Sequence, residues 1–198
     1  MRLGILGGSF DPVHLGHLIL AETCRERCRL DEVWFIPAGR PPHKTDRELA
    51  SAKCRFEMLD LALAGIPEFQ ICRLELDKQT TSYTVETLEQ LATEDPEREL
   101  FLLLGADSLR DFPSWKEPLR ILELATVVAV NRGKEPPPDL EEIEQKLGTS
   151  AIDRILTVTM PGIDLSATDI RHRVRSGHSV RFQIPKAVEV YIREHEVY

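Results

Sequence analysis

The chain alternates short, continuous apolar runs with longer stretches of helical period. Residues 2–6, Val33–Ile36, Phe69–Cys72, Leu100–Leu104, Ala125–Val130 and a run near Arg154–Val158 are mainly apolar. That is the pattern of strands buried on both faces. Between them lie helical patterns. One runs from His14 to about Arg29, with Leu15, Leu18, Ile19 and Glu22 at helical spacing. Another runs from Ala50 to Ala64, carries Phe56, Leu59, Leu61 and Leu63, and is stopped by Gly65 and Pro67. Further helices are predicted over Val85–Thr93, in short pieces across 106–124 broken near Pro113 and Pro118, over Leu140–Leu147, near Thr168–Ser176 and over Pro185–Glu194. Pro37–Lys44 and Gly133–Asp139, the latter with three consecutive prolines, read as loops.

Strands alternating with helices predict βαβ units, a parallel sheet and right-handed crossovers. The expected fold class is α/β: a Rossmann-like, doubly wound parallel sheet with helices on both faces. No repeat or long linker divides the chain, so one domain over residues 1–198 is expected, ending in a small helical part from about 166 to 198. In such a sheet, ligands bind at the carboxyl ends of the strands, near the point where the strand order reverses. The first strand ends at Gly7-Gly8 and the strand at 100–104 ends at Gly105. If the two are neighbours, their glycines face one crevice.

Composition narrows the field. The 198 residues are 42% hydrophobic and 29% charged, enough for a core and a soluble surface. No apolar run reaches membrane-spanning length, and the N-terminal apolar stretch is too short for a signal peptide, so a cytoplasmic location is expected. The formal net charge of −8 argues against a nucleic-acid or anionic-membrane partner. A phosphate site here has to gather basic residues locally, against the overall field. Of the four cysteines, Cys24 and Cys28 are i, i+4 on a helix, but no second Cys/His pair at metal-ligand spacing accompanies them. Reduced, buried thiols are the expectation, and no protein-held metal is assigned.

The chemistry is concentrated in Gly7-Gly8-Ser9-Phe10-Asp11-Pro12-Val13-His14-Leu15-Gly16-His17. Paired glycines let a ligand approach the backbone. The start of the helix favours anions. Two histidines three apart put their imidazoles on one helix face, and Gly16 between them leaves room beside the helix start. Alone, a Gly-Gly after a strand would be an ordinary strand–turn–helix. A His-x-x-His zinc pair without a third ligand is a weak alternative. The full spacing resembles the GxFDPxHxGH signature of a nucleotidyltransferase superfamily. That resemblance implies that His14 and His17 contact ATP phosphates and stabilise transition-state charge. It also implies that Gly7, Gly8, Ser9, Phe10 and Gly16 belong to the ATP site.

A second element, Leu165-Ser166-Ala167-Thr168-Asp169-Ile170-Arg171, reads alone as a helix capped by Ser166, with Asp169 as capping-box partner and an exposed arginine. Beside the first motif it resembles the family's (I/L)SxTxIR element, which implies phosphate contacts from Ser166, Thr168 and Arg171. Arg40 and Lys44 flank Pro41-Pro42-His43 in a basic loop. PPHK resembles the loop of one branch, the nicotinate mononucleotide adenylyltransferases, and makes Lys44 the fourth catalytic candidate.

Thr81-Ser82-Tyr83-Thr84 opens a helix whose leading amides can hold a carboxylate, while Ser82 or Thr84 can equally cap it. The segment resembles the branch's SYTxxTL, which implies recognition of the pyridine carboxylate by Ser82, Tyr83 and Thr84. Gly105 and Asp107 resemble its GADS element. Asp107 suits ribose hydroxyls or a place near a metal. Trp115 offers a flat face for a pyridinium, worth about 0.5–2 kcal/mol, or packs as an ordinary half-buried residue. Lys116 follows it, where the family commonly has an aromatic.

The resemblance spans nearly the whole chain. It implies adenylyl transfer from ATP to nicotinate mononucleotide in NAD biosynthesis, with Mg²⁺ on the phosphates. The alternatives are nicotinamide mononucleotide or phosphopantetheine as acceptor, or a non-catalytic nucleotide-binding protein. The partners expected are these small molecules, with no nucleic acid and no membrane; the sequence leaves room for a homo-oligomer.

Overall fold

The computed structural model describes residues 1–39, 49–78, 80–133 and 139–198. Six strands form one sheet: β1 (Arg2–Gly8), β2 (Glu32–Pro37), β3 (Phe69–Ile71), β4 (Glu99–Gly105), β5 (Ala125–Arg132) and β6 (Ile155–Met160). Their order is β3-β2-β1-β4-β5-β6. The order reverses direction between β1 and β4, which pair in parallel from Arg2↔Glu99 to Ile5↔Leu102. The two strands predicted to meet at the switch point are therefore neighbours. β4 with β5 and β5 with β6 are also parallel.

The helices are α1 (Leu15–Arg27), α2 (Ala52–Leu63), α3 (Thr84–Glu94), α4 (Ala106–Asp111), α5 (Pro118–Leu124), α6 (Glu141–Leu147), α7 (Thr149–Ile152), α8 (Ala167–Arg175) and α9 (Lys186–Glu194). A 3₁₀ turn, Phe112–Ser114, holds Pro113, and Pro118 opens α5 at its first position, where proline needs no amide. Sequence reading missed α7, a single turn after Gly148 at φ 91°.

The described residues cluster into two compact units, each discontinuous in sequence. The first comprises Met1–Leu6, Leu20–Trp34 and Tyr83–Gly162. Its core is the apolar strands the sequence marked: Leu3 and Ile5, Leu100–Leu104 and Val127–Val130 are all buried. The second comprises Gly7–Ile19, Phe35–Ser82 and Ile163–Tyr198. Phe10, Phe35 and Phe69 form its aromatic chain, with ring centroids 5.6 and 5.4 Å apart. Helices α2 and α9 pack together there, with Met58, Leu59, Val188 and Ile192 buried. No helix among the described residues is long and apolar enough to cross a membrane.

All four cysteines are free thiols. Burial pushes the Cys24 thiol up to about 12, with the Cys28 thiol adding to the rise. This is the inert, reduced state expected of packed cysteines.

Candidate active site

In the second unit the Gly7–His17 corner folds around an unusual backbone. Phe10 is fully buried yet sits at φ 47°, a conformation aromatic residues rarely adopt. Its ring meets His17 edge-on at 5.1 Å, and a Cβ on Gly8 would lie 3.2 Å from it. The peptide Asp11–Pro12 is cis. The loop is braced from below by Arg55 of α2, which is 2% exposed. Its Nη1 donates to the carbonyls of Ser9 (3.0 Å) and Ala38 (2.7 Å), and its Nε to that of Ala50 (3.2 Å). Burial lowers the Arg55 pKa from its ordinary value, while Asp11 opposes that fall.

The imidazoles of His14 and His17 stack, with centroids 3.7 Å apart and planes inclined by 21°. The His14 amide donates to His17 Nδ1 at 3.2 Å. With Nδ1 accepting, neutral His17 carries its proton on Nε2, which is then a donor. The leading amides of this corner are partly engaged within the protein. The Leu15 amide is already taken by the Gln183 carbonyl at 2.9 Å, and the His14 amide by His17. The donors this corner keeps for a ligand are therefore side-chain groups more than the Leu15 amide. The space beside Gly16 is filled by His14: a Cβ there would lie 3.0 Å from Nδ1 and 3.1 Å from Cε1. Gly7 differs, with open space around the position of a Cβ among the described residues.

Helix α8 brings the second motif to the same unit. Ser166 is its N-cap and accepts from the Asp169 amide at 3.0 Å. The Ser166 hydroxyl also bonds the Asp169 carboxylate at 2.8 Å, so the Asp169 side chain meets the cap hydroxyl instead of closing a reciprocal capping box on the backbone. Arg171 reaches back to the first motif. Its Nη1 donates to the Asp11 carbonyl at 2.7 Å and lies 3.7 Å from Asp11 Oδ2, while Nη2 lies 3.4 Å from Thr168 Oγ1. The Arg171 side chain is 12% exposed and the Asp11 side chain is fully buried. The structure thus ties Arg171 to the loop that leads into His14. Lys44, Arg40 and His43 lie outside the described residues.

In the first unit, the N-cap of α3 is Tyr83, with no side-chain cap hydrogen bond. Neither Ser82 nor Thr84 caps the helix. The Glu86 and Thr87 amides bond the Tyr83 carbonyl, and the Thr84 and Val85 amides have no acceptor within the helix. Trp115 is half-buried, edge-on to Phe112 at 5.6 Å. Its neighbour Lys116 bonds Glu86 at 2.8 Å and sits 4.5 Å from the centre of the Tyr83 ring. That contact brings the Trp115 segment to the start of α3. The bond to Glu86 raises the Lys116 pKa. Gly105 again has open space around a Cβ position among the described residues. Asp107, in the first turn of α4, is paired with Arg110. Ser82, in the second unit, is buried, and its hydroxyl has no hydrogen-bond partner among the described residues.

Among the described residues, no three His, Cys, Asp or Glu side chains are grouped to hold a metal ion. The donor set is one of imidazoles and a guanidinium. It suits a phosphate-borne Mg²⁺ that keeps its waters and needs no all-protein cage.

Three residues of this arrangement escape sequence reading: Asp11, Arg55 and Tyr198. The Tyr198 hydroxyl donates to Asp11 Oδ1 at 2.7 Å, across 187 positions of sequence. A buried arginine early in α2 leaves no local pattern, because its acceptors are backbone carbonyls.

Comparison with known proteins bears on this geometry. Residues 5–173 match the family model described as cytidylyltransferase-like. The chain is 46% identical over 198 residues to the probable nicotinate-nucleotide adenylyltransferase of Thermomicrobium roseum, covering all of this chain and 91% of that one. It is likewise 46% identical to the protein of the same description from Thermus thermophilus, covering both chains completely. Among solved structures, Plasmodium falciparum nicotinic acid mononucleotide adenylyltransferase complexed with NaAD superposes with a TM-score of 0.78 at 18% identity, over 100% of this chain and 97% of that one. That likeness establishes the shared fold. With the matched family model and full-length identity of this size, the chain belongs to the cytidylyltransferase-like family and, within it, to the nicotinate-nucleotide adenylyltransferases.

Proposed function

We propose that the protein transfers the adenylyl group of ATP to nicotinate mononucleotide, giving deamido-NAD and pyrophosphate. The observation that carries the reading is the stacked His14–His17 pair, in one compact unit with Arg171, in a chain whose relatives bear that activity in their names.

The nucleophile is the phosphate of the mononucleotide. A phosphate monoester has its second pKa at about 6, so it arrives largely dianionic at neutral pH and no general base is required. The P–O bond from that phosphate to the ATP α-phosphorus forms as the bond to the bridging oxygen of the pyrophosphate breaks. The leaving group departs as an anion. Catalysis is then positioning and charge stabilisation. His17 offers its Nε2–H to phosphate oxygens, His14 braces it by stacking, and Arg171 offers the donors it does not spend on Asp11 and Thr168. Lys44 supplies a further cation. In the second unit Gly7, Gly8, Ser9, Phe10, Gly16, Ser166 and Thr168 are assigned to ATP, and in the first unit Gly105 and Asp107. A Mg²⁺ ion carried on the ATP phosphates, held by substrate oxygens and water, would supply further neutralisation of their charge. Ser82, Tyr83, Thr84 and Trp115 take the mononucleotide: the uncapped α3 amides suit a carboxylate and the indole a pyridinium.

The test is pyrophosphate release from Mg-ATP with nicotinate mononucleotide, nicotinamide mononucleotide and phosphopantetheine supplied in turn. Turnover is expected first and fastest with the nicotinate compound. Release with phosphopantetheine alone would overturn the pyridine assignment, and release with none would favour a nucleotide-binding module.

A further inference from the structure

Asp11 is a carboxylate placed where nothing in ordinary turn formation requires one. Its side chain is fully buried, a costly location for a charge without partners. Its two oxygens are held differently. Oδ1 accepts from the Tyr198 hydroxyl at 2.7 Å and from the Ala50 amide at 3.2 Å. Oδ2 has no hydrogen bond among the described residues and faces Arg171 Nη1 at 3.7 Å. Arg171 is anchored on the same residue through its carbonyl. The chain of contacts is therefore Tyr198 hydroxyl, Asp11 carboxylate, Arg171 guanidinium, with the first and last members brought together from α8 and from beyond α9.

From this geometry we infer that Tyr198 is a positioning residue for the reaction: its hydroxyl fixes the Asp11 carboxylate so that Oδ2 is turned to Arg171 and the guanidinium is held for the substrate phosphates. The inference rests on the adenylyl-transfer reading above and adds to it a residue that touches no substrate. The physical reason is rotational. A buried carboxylate free to turn about its terminal torsion would swing its plane, and with it the oxygen that faces Arg171. Two donors on Oδ1 lock one orientation. The guanidinium then loses little freedom when it meets a phosphate.

The measurement is a double-mutant cycle on Tyr198→Phe and Arg171→Lys, each assayed with Mg-ATP and nicotinate mononucleotide. Phe keeps the ring and removes only the hydroxyl. Tyr198→Phe is expected to lower kcat about tenfold, a loss typical of a misplaced catalytic group, with KM for the mononucleotide changed less than about twofold. In the Arg171→Lys background the same substitution is expected to have almost no further effect, because residues acting through one another are not additive. A purely structural role would give the same factor in both backgrounds. Asp11→Asn keeps an acceptor for Tyr198 and removes the charge facing Arg171, so it provides a second route. It is expected to reproduce the Tyr198→Phe loss. A Tyr198→Phe enzyme with wild-type kcat, or a loss that multiplies unchanged onto Arg171→Lys, overturns the inference while leaving the adenylyl-transfer reading intact. A wild-type protein that releases no pyrophosphate with any acceptor overturns both.

Discussion

His14 and His17 stack at 3.7 Å between ring centres, with the His14 ring lying over Gly16, which has no side chain to displace it. A Cβ on Gly16 would press on the His14 ring at 3.0 Å, closer than such contacts ordinarily come. Stability and activity pull in opposite directions at this position. Gly16 is the second residue of α1, and alanine in a helix is favoured over glycine by about 1 kcal/mol. Gly16→Ala is therefore expected to hold or raise the melting temperature while lowering kcat roughly tenfold by displacing the imidazole pair. Thermal unfolding and steady-state kinetics on the same preparation check this. A variant with unchanged kcat would show that the stack has no part in turnover.

Arg55 is the structural counterpart. It spends its donors on the carbonyls of Ser9, Ala38 and Ala50, which belong to three separate segments. Truncation leaves those acceptors unpaired and removes a buried cation whose charge is felt by Asp11. Arg55→Ala is expected to destabilise the fold by at least about 3 kcal/mol, since each lost bond to a charged donor is worth about 1.5–3 kcal/mol. Arg55→Lys is expected to recover only part of this, because an ammonium cannot reproduce the fork. Denaturant unfolding midpoints measure both. A loss below about 1 kcal/mol for Arg55→Ala would mean that water replaces the guanidinium without penalty.

These two residues mark what the sequence made legible. Gly16 stands inside a motif, between histidines whose spacing already placed them on one helix face. The strands were legible because buried parallel strands are continuously apolar, as in Leu100–Leu104 and Ala125–Val130. Ser166 was legible as a cap because the Ser-x-x-Asp spacing is local. Arg55, Asp11 and Tyr198 were not, because their partners are carbonyls or lie 160 and 187 positions away, as for Arg171 and Tyr198 on Asp11. The α3 cap was misread for a different reason. Two good capping residues flank Tyr83, yet the backbone turns at Tyr83 itself, leaving the cap without a side-chain acceptor.

Tyr198 also ties stability to pH. Burial is the main cause that raises its phenol pKa above the ordinary value of 10.0, and Asp11 adds to the rise through its charge and its hydrogen bond. Arg171 opposes it, and Cys54 adds slightly. A group whose pKa is raised on folding contributes stability that is complete below the unfolded pKa and is lost as the pH climbs toward the folded one. Unfolding free energy should therefore fall as the pH rises above about 10. Tyr198→Phe should make the curve less steep in that range while leaving the slope below pH 9 unchanged. Buried Cys24 titrates up to about 12 and contributes its own alkaline slope in both proteins. The difference between the two curves isolates Tyr198, and parallel curves would contradict the assignment.

His17 carries the central role in the proposed reaction. If the nucleophile arrives already charged, His17 is a transition-state donor and not a base, and its loss should spare binding. The decisive measurement is kcat for His17→Ala beside the mononucleotide dissociation constant of the same variant. The account predicts a kcat lower by roughly 10²–10³, the usual cost of removing one preorganised donor, with the dissociation constant within about threefold of wild type. Turnover near wild type, or a loss confined to mononucleotide binding, would contradict it.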